Sequence, residues 1–106
     1  MQFTYEGGTY HQRPLEVGDE LDVEILADML WQDGEKRTVR GNYKRRSFLR
    51  FVLANERVEG EVIFAIPDVD DFDALRAGFE AFIALPQPFL WAVRNAENES
   101  AAKKKT

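Results

Sequence analysis

His11 is the single histidine of this 106-residue chain, and there is no cysteine. A general base needs a positioned partner, and a nucleophile needs a hydroxyl or thiol beside that base. The serines are Ser47, inside a basic stretch, and Ser100, near the C-terminus, so no Ser–His–Asp arrangement suggests itself. Without thiolates there is no Cys nucleophile, disulfide framework or thiolate zinc site. The densest group of oxygen ligands is Asp68, Asp70, Asp71 and Asp73. A calcium loop opening at Asp68 requires a ligand at 72, glycine at 73 and a carboxylate at 79. Phe72, Asp73 and Phe79 stand there instead, so these carboxylates read as groups that start a helix. The glycines at 7, 8, 18, 34, 41, 60 and 78 are scattered and form no phosphate-cradling loop. The expectation is a protein that is not an enzyme, with no cofactor and no metal.

Charge carries more information. The net charge of −5 argues against a uniformly basic nucleic-acid binder. From Leu15 to Glu35 the charged residues are all acidic (16, 19, 20, 22, 24, 28, 33, 35), and from Lys36 to Asn55 all basic (36, 37, 40, 44, 45, 46, 50). Adjacent helices of opposite sign would attract each other. Such a division would also steer a charged partner, and Arg40, Lys44, Arg45, Arg46 and Arg50, with Tyr43 stacking, would suit single-stranded nucleic acid. All three accounts stay open, with the acidic neighbour counting against phosphates. The longest strictly apolar runs, Val62 to Ile66 and Phe89 to Val93, fall short of a membrane span. MQFTYEGGTY lacks the marks of a signal peptide. A cytoplasmic, single-domain protein is expected.

The elements that must position these groups follow from spacing. Phe3 and Tyr5 alternate with polar neighbours, Gly7-Gly8 offers a turn, and Thr9-Tyr10 resumes an extended pattern, which together predict a hairpin closed by Pro14. Asp19 as N-cap, the four-residue spacing of Leu21, Ile25 and Met29 broadened by Leu26 and Leu30, and the stop Asp33-Gly34 predict a helix over 19–32. A second helix is expected from Arg40 to Asn55, with Tyr43, Phe48, Leu49, Phe51, Val52 and Leu53 as a wide apolar face. Val58 to Ile66 reads as a turn at Glu59-Gly60 followed by a short strand or packed extended connection, ended by Pro67. Phe72, Leu75, Phe79, Phe82 and Ile83 then mark the most regular helix, led by Asp70, Asp71 and Asp73. Pro86 and Pro88 break it, and Phe89, Leu90, Val93 and Ala96 form a short last helix. The fold class is α+β: an N-terminal β-hairpin packed on a small bundle of about four helices. Residues 1–98 form one domain, and the polar tail 99–106 is expected to fray.

Phe89, Leu90, Trp91 and Val93 crowd bulky apolar groups into a short segment, over more than one stripe. Either they cap the core from one end or part of them is a docking surface. Trp91 is the best single candidate for an exposed anchor. The partner-binding set is therefore Phe89, Leu90 and Trp91, joined by Arg40, Lys44 and Arg45 from the basic segment.

Three segments resemble the tail assembly chaperones of long-tailed bacteriophages. The opening FTYEGGTYHQRPLEVGDELD is similar to that family's start, a short hairpin around glycine, an arginine–proline–leucine step and a helix. FVLANERVEGE, residues 51–61, resembles the helix-to-turn stretch that follows. DFDALRAGFEAFIALPQPFLWAVRNAEN resembles the C-terminal pattern of an aromatic helix, a Leu-Pro break and a short helix ending in asparagine. The resemblance covers about two thirds of the chain, and the acidic–basic alternation of residues 15–55 has no counterpart in it. It implies a non-enzymatic protein that binds the long tape-measure protein, keeps it in solution and helps tail-tube subunits polymerise around it, in the host cytoplasm. Many members of that family are made in two lengths by a ribosomal frameshift, and the run Lys103-Lys104-Lys105 reads either as the trace of a slippery codon run or as a solubilising basic tail, which the codons would decide. The alternatives are a small structural protein of the tail or neck retained in the virion, and a nucleic-acid-binding regulator using residues 36–50. A homo-oligomer stays open.

Overall fold

The computed structural model describes residues 2–31 and 39–105, with side chains for 2–31 and 42–96. Strand β1 (Gln2–Tyr5) and strand β2 (Gly8–Gln12) pair antiparallel, with Phe3 opposite Tyr10 and Tyr5 opposite Gly8. The turn between them is Glu6-Gly7, one residue before the expected Gly7-Gly8, and both residues have positive φ, 47° and 87°. A two-residue connection with positive φ at both positions matches the right-handed twist of the strands, whereas ordinary turns would splay them.

Helix α1 (Val17–Leu30) starts two residues earlier than its acidic run suggests. Glu16 is the N-cap, and Asp19 sits three residues on. The Asp19 carboxylate accepts the Glu16 N–H at 2.9 Å and both Arg13 terminal nitrogens at 2.9 Å. The expected stop at Asp33-Gly34 lies outside the described residues. Arg76 donates to the Leu30 carbonyl at 3.0 Å, so a side chain from elsewhere satisfies an orphan acceptor at this helix's C-terminus.

Helix α2 (Val39–Ala54) leads directly into strand β3 (Asn55–Gly60), which pairs antiparallel with β2 and completes a sheet of order β1-β2-β3. The strand is thus NERVEG rather than the apolar VIFAI run. Its single half-buried apolar residue, Val58, sits opposite Tyr10, extending the inward row of Phe3 and Tyr10. The register slips between His11 and Gln12, a bulge that accommodates one extra residue on β3. Thr4, Thr9, His11, Arg57 and Glu59 line the outer face of the sheet, Thr9 opposite Glu59 and His11 opposite Arg57.

The VIFAI segment becomes a packed connection. The buried Tyr10 hydroxyl donates to the Phe64 carbonyl at 2.8 Å and accepts the Phe64 N–H at 3.3 Å, and burial raises the Tyr10 pKa. Helix α3 (Phe72–Ile83) starts where its periodicity indicates, with the Asp71 carboxylate accepting the Ala74 N–H at 3.0 Å. The Asp68 carboxylate accepts the Asp70 N–H at 2.9 Å. The Asp71 carboxylate caps the helix as expected, while Asp68 closes the turn that leads into it.

Helix α4 (Gln87–Lys105) carries on through residues 99–105, where a frayed tail is the sequence expectation. The fold is α+β, with the N-terminal hairpin and its added third strand packed on four helices. Between sheet and helices lies an aromatic core. Tyr10, Phe48, Phe51 and Phe89 have no solvent exposure, and Phe64, Phe79 and Phe82 little. Phe51 alone meets Phe82, Tyr10, Phe64 and Phe89 at ring-centre distances of 5.4, 5.5, 6.0 and 6.1 Å. Each such side chain contributes about 1.5–3 kcal/mol through burial.

Candidate functional site

Two sides of α2 do different things. On one side Arg46 donates to Glu24 at 3.0 Å, and Arg50 holds both Glu20 carboxylate oxygens at 3.0–3.1 Å. The opposite charges of residues 15–55 thus pair α1 with α2 across their packed faces. Arg45 stacks on Trp31, its guanidinium carbon 4.9 Å from the ring centre.

On the other side, Tyr43, Lys44 and Ser47 of α2 face Gln87, Leu90, Trp91, Val93 and Arg94 of α4, with Phe82 and Ile83 at the end of α3. These residues enclose a groove of about 270 Å3. Its floor is apolar, because Phe82 and Val93 belong to the core and Leu90 is half-buried against it. Its rim is aromatic and cationic. Trp91 is 59% exposed and Tyr43 49%. Arg94 donates to the Tyr43 hydroxyl at 2.6 Å while its guanidinium lies 5.4 Å from that ring's centre, a cation–π contact joining α4 to α2. Lys44 makes no ion pair among the described residues, and no carboxylate among them lines the groove. The chemistry on offer is binding: a helix presenting apolar side chains to the floor and carboxylates to Lys44 and Arg94.

Of the six residues expected to bind a partner, the groove brings Leu90, Trp91 and Lys44 together. Phe89 is corrected: it has no exposure and packs on Tyr5, Tyr10, Phe3 and Phe51 at 5.4–6.1 Å. Two residues on a helix are 200° apart, so Phe89 and Trp91 cannot share a face. Arg45 lies against Trp31, outside the groove. The side chain of Arg40 lies outside the described residues. Gln87 and Arg94 were missed, although 87, 90, 91 and 94 share one helical face at three- and four-residue spacing, a signal present in the sequence.

His11 stands on the outer sheet face, 3.2 Å from Glu59 and 3.4 Å from Arg57. Glu59 is about half exposed, and its carboxyl is held below the ordinary value by the hydrogen bond to His11 and by Arg57. Among the described residues no group of three or more His, Asp or Glu side chains could hold a metal, and no helix is long and apolar enough to cross a membrane.

No protein-family model matches the chain, and neither a curated protein nor a solved structure matches it significantly. The groove and the resemblance in the sequence therefore carry the functional reading.

Proposed function

We propose that this chain is a non-enzymatic tail assembly chaperone of a long-tailed phage, holding an apolar helical stretch of the tape-measure protein in the α2–α4 groove. The observation that carries the reading is Trp91, more than half exposed beside half-buried Leu90 and flanked by Lys44 and Arg94. A large aromatic left at the mouth of a groove with an apolar floor and a polar rim suits a binding anchor. A tape-measure protein exposes long apolar helical stripes before the tube encloses them, and such stripes need a groove with a polar rim. The work takes place in the host cytoplasm, with the tail-tube protein as a second partner.

Co-expression with the tape-measure protein encoded by the same phage tests the reading. The tape-measure protein should stay in solution and co-purify, and Trp91→Ala should weaken both effects without unfolding the chaperone. Failure of the two proteins to co-purify or alter each other's solubility would remove the proposal. Purified virions should lack the protein; its persistence there would favour the structural alternative.

Exposed Tyr43 and Trp91 beside Lys44 and Arg94 give single-stranded nucleic acid one specific point of support, since bases stack on such rings. Arg46 and Arg50, however, are engaged by Glu24 and Glu20, which leaves less positive charge for phosphates than the sequence implies. A salt-dependent gel shift abolished by Lys44→Glu would support this second reading.

A further inference from the structure

We propose that the outer face of α1 is a separate docking surface for a basic amphipathic helix from another polypeptide. The inference rests on α1 alone and does not depend on what occupies the α2–α4 groove. Val17, Leu21, Ile25 and Met29 recur at four-residue intervals and are 43–77% exposed. They form a row about 18 Å long, at 1.5 Å of rise per residue. The core takes a different row of the same helix: Val23, Ala27 and Leu30. Single exposed apolar residues are ordinary, but four in register along three turns make a contiguous stripe of the width that helix-in-groove recognition uses. The space beside Gly18, at one end of the row, is open, which lets a partner backbone come close.

Charge names the occupant. Helical geometry puts Asp22 on one flank of the stripe and Glu24 on the other, with Asp28 set among the apolar residues. No lysine or arginine lies between Leu15 and Glu35. The Asp22 carboxylate has no ion pair or side-chain hydrogen bond among the described residues. Glu24 is held by Arg46, so Asp22 is the carboxylate left open beside the stripe. A second copy docking face to face would bring two such carboxylates together, and nucleic acid would meet the same repulsion. A helix with apolar residues at three- and four-residue spacing, flanked by lysine or arginine, meets both the stripe and its rim. The sign is opposite to that of the groove, where Lys44 and Arg94 favour acidic flanks. The chain thus presents two apolar surfaces, on opposite sides of α2, that select partners of opposite charge.

Two synthetic helical peptides of identical apolar pattern, one flanked by lysine and one by glutamate, test this by NMR titration of the full chain. The lysine peptide should bind and shift the Leu21, Ile25 and Met29 methyl resonances while leaving the Trp91 indole unmoved, with affinity falling as salt rises. Leu21→Ser combined with Ile25→Ser should weaken binding at least about tenfold. Asp22→Lys, which leaves the apolar row intact, should weaken it several-fold and gives a second route should the double variant fold poorly. Equal binding of the glutamate peptide, or lysine-peptide affinity unchanged in both variants, would overturn the proposal. So would a dimer in sedimentation that Leu21→Ser/Ile25→Ser dissolves, because the occupant would then be a second copy.

Discussion

Helices α1 and α4 each carry more apolar side chains than one buried face accommodates, and they resolve the surplus under opposite electrostatic signs. In α4, Phe89, Val93 and Ala96 enter the core while Trp91 turns outward beside Lys44 and Arg94. In α1, Val23, Ala27 and Leu30 enter, and Val17, Leu21, Ile25 and Met29 stay out among carboxylates. Between them α2 contributes Arg46 and Arg50 to one neighbour and Tyr43 and Lys44 to the other. The comparison teaches that one helix can carry two apolar rows with separate jobs. The inner row holds the fold together, and the charges beside the outer row are what a docking partner would meet.

The widest separation of effects is expected on α4. Phe89→Ala should cost about 3–5 kcal/mol through lost burial and the cavity left behind, a large share of the roughly 5–15 kcal/mol that holds a domain folded. Trp91→Ala, two residues along, should cost within about 0.5 kcal/mol. Chemical denaturation of the two variants measures both, and similar losses would break the distinction between inner and outer rows.

The same contrast on α1 sets Leu30→Ala, at about 2–5 kcal/mol, against Leu21→Ala, within about 0.5 kcal/mol. A large loss at Leu21 would place it in the core. The third comparison crosses α2. Arg50→Gln removes a half-exposed ion pair to Glu20 and should lower stability by about 0.2–1 kcal/mol, whereas Lys44→Gln should leave the melting temperature unchanged. Reversal of that order would mean that Lys44, not Arg50, carries the charge pairing.

The smallest effect lies on the polar outer face of the sheet, away from both apolar surfaces. The Glu59 carboxyl, lowered by His11 and then Arg57 from its ordinary value of 4.5, favours the fold while ionised. That contribution is complete above the unfolded value and fades as pH falls through the lowered folded value. The melting temperatures of the wild type and of Glu59→Gln should therefore converge as the solution is acidified below the ordinary carboxyl value. A difference that widens on acidification would contradict the pairing.

Helix α3 was legible in full because Phe72, Leu75, Phe79 and Phe82 repeat cleanly with a carboxylate at Asp71 to start them. Helix α1 was legible as a helix, but not in its orientation. Leu21, Ile25 and Met29 make the more regular row by eye, yet Val23, Ala27 and Leu30 face the core, and periodicity alone does not rank two rows on one helix. Strand β3 was placed too late for a related reason. Asn55 to Gly60 is nearly all polar and becomes a strand by pairing with β2, a long-range event, while the apolar VIFAI run is held by the Tyr10 hydroxyl. At the candidate site, Trp91, Leu90 and Lys44 were legible from residue type. Phe89 was not, because the difference between anchor and core is a rotation of 200° about an axis that only packing fixes.

The central claim is that Trp91 and its neighbours on the α2–α4 groove receive an apolar helical segment. The chain has two tryptophans, so a proton–nitrogen NMR spectrum carries two indole signals: Trp91, exposed at the groove, and Trp31, packed between Arg45 and Phe79. Titration with an apolar helical segment of the tape-measure protein should move the Trp91 indole signal in a saturable way and leave Trp31 in place. A Trp91 signal that stays still while the segment binds, or a Trp31 signal that moves alone, would contradict the account.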